Sequence, residues 1–229
     1  DPLTLTAQDY RKRVNKALNL NGAISWAATK HLSFRSEFGM DFNFGQSKRF
    51  WGPLTNEASK NSGLPLGELT ISEARGLRWT NTATYLFKLG EKHDFNLLAG
   101  QEILSSGAGN TDFTRAIKFS LNTQPDALFA NMQNGTTDQH STGIGAATKT
   151  ASFFGRAIYQ YNRRYIVNLT GRYDASTNFA PGKQWGFFPA ASVAWRISEE
   201  DFMKDVDFIS DLKLRFSYGA AGNERIGRN

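Results

Sequence analysis

The residues of this 229-residue chain whose types could do chemistry are three histidines, a scatter of carboxylates and a larger set of arginines. His31, His93 and His140 fall in two turns and a loop without metal-ligand spacing, so no zinc or other metal site is expected. The chain has no Cys, which removes disulfides, thiolate ligands and thiol nucleophiles together. Glu37, Asp41, Glu102 and Asp174 share one strand phase with Arg35, Arg78, Arg156, Arg172, Arg196, Lys213 and Arg215. Two carboxylates could form an acid and base pair there, but interleaved with so many cations they fit a hydrated, charge-compensated wall better. No Walker loop or nucleophile elbow occurs, and Gly143-Ile144-Gly145 is ordinary loop glycine. The expectation is therefore no enzyme, no catalytic centre and no cofactor. Phe50, Trp51 and Trp185, in longer stretches without periodicity, are the candidates for stacking on a sugar face. The plainer alternative is that those rings pack on their own loops.

Period-two alternation is what would position the charged wall. The stretch from Phe153 to Gly222 splits into an apolar, aromatic phase and a phase that holds nearly every charge. The same plan recurs upstream. Strands are expected near residues 14–27, 32–44, 77–88, 93–103, 152–161, 165–174, 189–197 and 212–218. The apolar phase contains Leu18, Leu20, Trp26, Phe34, Phe38, Met40, Phe42, Trp79, Tyr85, Phe95, Leu97, Tyr159, Val167, Leu169, Val193, Trp195, Leu214 and Phe216. In residues 32–44 a slip of one residue would carry Arg35, Glu37 and Asp41 into that phase, which fixes the register. Lys16 is the awkward member of the first strand: either the strand starts after it, or its ammonium reaches a polar boundary. Residues 45–75 and 104–147 lose the periodicity and read as long loops, with a helical turn at 125–132 because Pro suits a first helical position. Residues 175–186 form a third loop. Ser198 opens a loose capping box over one helical turn, and Pro189 is placed at the start of its strand.

Net charge is +6, but the Lys and Arg residues are dispersed, so nucleic acid is not an expected partner. No run of eighteen apolar residues exists to make a membrane-spanning helix, and the first residues do not have the form of a signal peptide. A β-barrel remains allowed, because its strands alternate and leave overall hydropathy low. Short and long connections take turns along the chain, which in an up-and-down sheet gathers the long ones at one edge. Rings cluster at both ends of the apolar phase, as in two aromatic girdles. The expected runs of ten or more residues also exceed the usual five or six of soluble strands. These features favour an all-β antiparallel meander of about eight long strands from a transmembrane barrel, with the apolar phase facing lipid and the charged phase facing the lumen. A small eight-stranded outer-membrane anchor or adhesin, and a soluble β-sheet binding module, stay open as alternatives.

Residues 154–174 (FGRAIYQYNRRYIVNLTGRYD), 179–203 (FAPGKQWGFFPAASVAWRISEEDFM) and 209–227 (ISDLKLRFSYGAAGNERIG) resemble, in that succession, the barrel region of the SusC/RagA family of TonB-dependent outer-membrane receptors. WTNTATY at 79–85 and HDFNLLAGQE at 93–102 are similar to the preceding hairpin of that family. The resemblance implies a barrel of about 22 strands with an internal plug, in the bacterial outer membrane, importing glycan or peptide fragments. It implies two partners, a SusD-like surface lipoprotein as lid and the TonB complex as energy source. On that basis residues 1–229 are expected to be part of one barrel domain, excised from its middle, without the plug and the remaining strands.

Overall fold

A computed structural model describes residues 8–204 and 208–222. The described chain is built from nine strands: β1 (Asp9–Ala27), β2 (Leu32–Trp51), β3 (Leu66–Leu89), β4 (His93–Ile117), β5 (Thr136–Gly145), β6 (Thr148–Tyr161), β7 (Tyr165–Ser176), β8 (Trp185–Arg196) and β9 (Lys213–Gly219). Two short helices, α1 (Asn56–Ser59) and α2 (Pro125–Ala130), and three 3-10 turns complete it. Eight strands hydrogen-bond in the order β1-β2-β3-β4-β6-β7-β8-β9, while β5 pairs with β4 off this path. β1 and β9 stand at the two ends of the order and are not neighbours. The eight-stranded closed anchor, which needs those two strands paired, is therefore not the arrangement of the described residues.

All eight expected strands are present, and three are much longer than expected. β2 continues to Trp51, β3 begins at Leu66 and β4 runs to Ile117, so much of residues 45–75 and 104–117 is strand and not loop. These extensions hold mixed residues in both phases, which hides the period-two signal. Their backbone groups still need partners, and a neighbouring strand supplies them. β5, a ninth strand, was also unforeseen: its TTDQHSTGIG sequence has no apolar alternation and every residue is exposed. It is held by main-chain pairing from Gly109↔Gly145 to Ile117↔Thr136, with a bulge between Arg115 and Ala116. The third loop shrinks in the same way. β8 starts at Trp185, which places Pro189 inside the strand, opposite Gly171. The ring removes one donor only, and the Pro189 carbonyl still accepts from the Ala220 N–H at 2.9 Å.

The expected helical turn after residue 124 is α2, with Pro in its first turn. Ser198 does not cap a helix. Its Oγ meets Asp211 at 3.2 Å, and the segment forms two 3-10 turns, Ile197–Glu199 and Asp201–Met203. The turn joining β6 to β7 has positive φ at both Asn162 and Arg163, closed by the Arg164 N–H on the Tyr161 carbonyl at 2.9 Å. That is the geometry of a type I′ hairpin turn, whose twist matches that of the strands.

The chain divides into two compact units. The first comprises Asp1–Leu20, Met40–Gly76 and Ser106–Ala147. Its core consists of two packed clusters, Phe50 with Ala116, Phe119 and Leu128, and Trp51 with Ala58 and Leu66. Arg115 ties this unit together through Glu57 at 3.5 Å, Glu68 at 3.4 Å and Asp138 at 3.3 Å. Thr55 caps α1 by accepting from the Ala58 N–H at 3.2 Å, and Lys60 holds the Glu57 carboxyl below its usual range by a hydrogen bond. The second unit comprises Asn21–Gly39, Leu77–Ser105 and Thr148–Asn229. Its described part is a single layer of strands, so its two faces carry the functional information.

Candidate functional site

Residues opposite one another on antiparallel strands put their side chains on the same face, so register decides which side chains share a surface in the second unit. Phe153 faces Tyr173, Ala157 faces Leu169 and Tyr159 faces Val167. Val167 in turn faces Val193, and Tyr165 faces Trp195. Val193 then faces Phe216, and Trp195 faces Leu214. The apolar phases of four successive strands thus merge into one surface, on which Leu169 is 52% and Phe216 71% exposed. No second layer of the described protein covers them.

Ring contacts extend that surface to the other strands. Trp26 stacks on Phe34 at 5.6 Å. Tyr85, Phe87, Phe95 and Tyr159 form a chain of rings at successive centroid distances of 5.1, 4.6 and 4.9 Å. His93 joins it, its Nδ1 2.8 Å from the Tyr159 hydroxyl, and His31 meets Tyr85 edge-on at 6.4 Å. The two turn histidines therefore belong to an aromatic belt beside the short turns. Trp79 satisfies its indole N–H on Ser36 Oγ at 3.0 Å, a polar residue of the same phase. Asn81 and Gln101 are further polar exceptions, beside Ile24, Trp26 and Phe34 in a shallow cavity.

The opposite face collects the charges. Ser152 faces Asp174 and Arg156 faces Thr170, while Arg215 and Lys213 stand opposite Ala194 and Arg196. Arg172 is the hub: it donates to Glu102 at 3.2 Å, to Asp174 at 2.7 Å and to Ser152 Oγ at 2.8 Å. Glu102 also accepts from Thr80 at 3.1 Å. Arg172 lies over the Phe154 ring at 5.4 Å, and that ring can lie flat because Gly100 beneath it has no Cβ; one would sit 2.4 Å from it. A cavity of about 470 Å³ opens here, with Glu102, Arg172, Asp174, Phe179, Lys183 and Phe188 among its walls. Elsewhere on this face Arg35 bonds Glu37 at 2.6 Å and Ser25 at 3.1 Å, and the Arg78 guanidinium lies beside the space that a Gly39 side chain would fill. Asp41, Arg156, Arg196 and Lys213 form no ion pair among the described residues.

The three rings expected in loops lie in strands. Phe50 and Trp51 end β2 and are buried in the clusters of the first unit, at 4% and 6% exposure. The Arg49 guanidinium covers the Trp51 ring at 4.4 Å. Trp185 begins β8 and stacks on Tyr173 at 4.6 Å, and on Phe153 at 6.3 Å, which places it with the apolar face. Packing, the plainer alternative, describes Phe50 and Trp51, whereas Trp185 is 46% exposed and also borders the cavity at Arg172.

Glu200 was not foreseen. It accepts from the Tyr165 hydroxyl at 2.8 Å, the Trp195 indole at 2.9 Å and Arg164 at 2.8 Å. Hydrogen bonds from Trp195 and Tyr165, with the Arg164 charge, hold its carboxyl below the ordinary value of 4.5. Asp201 beside it is lowered by Lys204 and Arg164. The sequence signal was a carboxylate inside the capping-box turn, because two of its three donors, Tyr165 and Arg164, lie 35 and 36 residues away.

A single-layer antiparallel meander, apolar and ring-belted on one face and charged on the other, defines the class: a segment of a barrel wall. The family model for the β-barrel of TonB-dependent receptor-like proteins matches residues 1–224. The chain belongs to this family, one of bacterial outer-membrane receptors and not of enzymes. It is 31% identical over 228 residues to TonB-dependent receptor P26 of Formosa agariphila, covering 93% of this chain and 22% of that protein. SusC of Bacteroides thetaiotaomicron is 39% identical over 89 residues, which are 39% of this chain and 9% of SusC. Among solved structures the RagAB peptide transporter superposes with a TM-score of 0.87 at 22% identity, over 99% of this chain and 24% of that one. The chain spans about a fifth of the length of the curated relatives it matches.

Proposed function

We propose that this chain is part of the wall of a TonB-dependent importer in the bacterial outer membrane, taking up oligosaccharide or peptide fragments. In this reading residues 1–229 lie within one barrel domain, whose plug and other strands lie outside them. The partners are a SusD-like surface lipoprotein and the TonB complex, as the names of the SusC and RagAB relatives support. The observation that carries the reading is the segregation of the two faces, continuous across β6 to β9 in the observed register. The ring-bearing face meets lipid and the Arg172 face lines the lumen.

The mixed-charge cavity at Arg172 suits fragments with many hydrogen-bonding groups, since Glu102, Asp174 and Lys183 offer both acceptors and donors beside the Phe179 and Phe188 rings. Trp185, which borders the same cavity, offers its ring to substrate directly, whereas Phe50 and Trp51 act indirectly, by fixing the segments that carry polar groups. The test is a nitroxide scan of β7 and β9 in the intact receptor in lipid bilayers. Oxygen accessibility should rise at 167, 169, 214 and 216, and accessibility to a water-soluble nickel chelate at 168, 170, 215 and 217. Uniform accessibility along both strands would defeat the reading. Whole-cell uptake should fall when Arg172 and Lys183 are both replaced by Ala; full uptake in that variant would remove the cavity from the transport path.

A further inference from the structure

We infer that the first unit holds a phosphate-bearing lipid headgroup on its apolar-phase face, in a groove between Lys16 and Arg75. A cavity of about 440 Å³ there is walled by Lys16 and Leu18 of β1, Phe42 and Phe44 of β2, and Glu73 and Arg75 of β3. Residues two apart on a strand project to the same side, so these pairs identify the face as the one that carries Leu18 and Phe42. β1 begins at Asp9, so Lys16 is a full member of the strand, and its ammonium stands on a surface otherwise written for hydrocarbon.

A cation on such a surface needs a partner or an aqueous edge. Neither Lys16 nor Arg75 has an ion pair among the described residues, Glu73 included. Two unpaired cations beside three apolar side chains match a headgroup phosphate joined to acyl chains. Basic residues just beyond an apolar band attract anionic lipid. A soluble phosphate would leave Leu18, Phe42 and Phe44 unused, which commits the site to lipid. Glu73, on the same rim, accepts a hydroxyl or ammonium hydrogen of the headgroup, and so favours headgroups that carry a donor. The inference rests on the lipid-facing reading given above.

The test is native mass spectrometry of the intact receptor in mild detergent, titrated with dioleoylphosphatidylglycerol. The paired substitution Lys16→Gln with Arg75→Gln should weaken retention about thirtyfold, and Lys16→Arg with Arg75→Lys should restore it. A neutral galactosyl diacylglycerol should bind both forms alike, and millimolar inorganic phosphate should not compete. Unchanged phosphatidylglycerol retention in the Gln variant, equal loss of the galactolipid, or competition by inorganic phosphate would each overturn the site. A nitroxide at position 42 separates the two readings. If it is oxygen-accessible while the Gln variant retains lipid normally, the headgroup site fails and lipid contact stands; if it is not, lipid contact itself fails and the site with it.

Discussion

In the first unit the least exposed side chains are Phe50, Trp51, Ala58, Pro65, Leu66, Ala116, Phe119 and Leu128, whereas in the second they are Ser152, Ser176, Ser192, Glu200 and one alanine, Ala194. The large hydrophobics of the second unit, Trp26, Leu169 and Phe216 among them, are exposed. The first unit gathers these rings and aliphatics into packed clusters, while its strand residues Leu18, Leu20 and Phe42 stay exposed on the apolar-phase face. The second displays its rings and keeps short polar groups on the opposite face, the arrangement that the proposed barrel wall requires. One chain thus combines packed clusters with an apolar face that no other described residues cover.

Core truncation should break this contrast most severely. Leu66→Ala and Leu128→Ala each empty a fully buried site, and each should destabilise the first unit by about 2–5 kcal/mol. Limited proteolysis of the intact receptor would show early cleavage in residues 52–65 or 118–135. Next comes charge on the ring-bearing face. Leu169→Arg should weaken the barrel in bilayers by about 2–4 kcal/mol, whereas Thr170→Arg on the other face should change it little. Equal losses in denaturant titrations would abolish the distinction between the faces.

Acid sharpens it further. Because the Glu200 carboxyl is depressed in the folded chain, its contribution is complete above the ordinary value of 4.5 and disappears as pH falls through the lower folded value. Exchange of the Trp195 indole hydrogen should therefore accelerate in that acidic window, and Glu200→Gln should show the fast exchange at neutral pH. The smallest effect belongs to the hairpin turn. Arg163 has φ of 59°, so Arg163→Gly should raise stability by about 0.5–1 kcal/mol, read as a higher denaturation midpoint; a lower midpoint would reject the strained turn.

Several elements were legible in the residues alone. The alternation of Phe34, Phe38, Met40 and Phe42 with Arg35, Glu37 and Asp41 made β2 a strand of fixed register, and the same logic recovered β6 and β7. The Arg172 wall was legible too, as a phase, because side-chain direction in a strand follows sequence parity. The identity of its partners was not: Glu102 lies seventy residues away, and only pairing across β4, β6 and β7 brings it within reach. Phe50 and Trp51 were misplaced for a related reason. Local composition showed a loop-like stretch, while contacts with Leu128 and Leu66 turned it into a packed strand end.

Sequence by itself determined which side chains within one regular strand share a face, since parity along an extended backbone is local and only a bulge, as at Arg115 and Ala116, interrupts it. Tertiary structure decided how far the strands run, that β5 joins β4, and that Glu200 gathers three donors. Each of those depends on main-chain or side-chain hydrogen bonds between distant segments, whose partners are chosen only when the chain has folded.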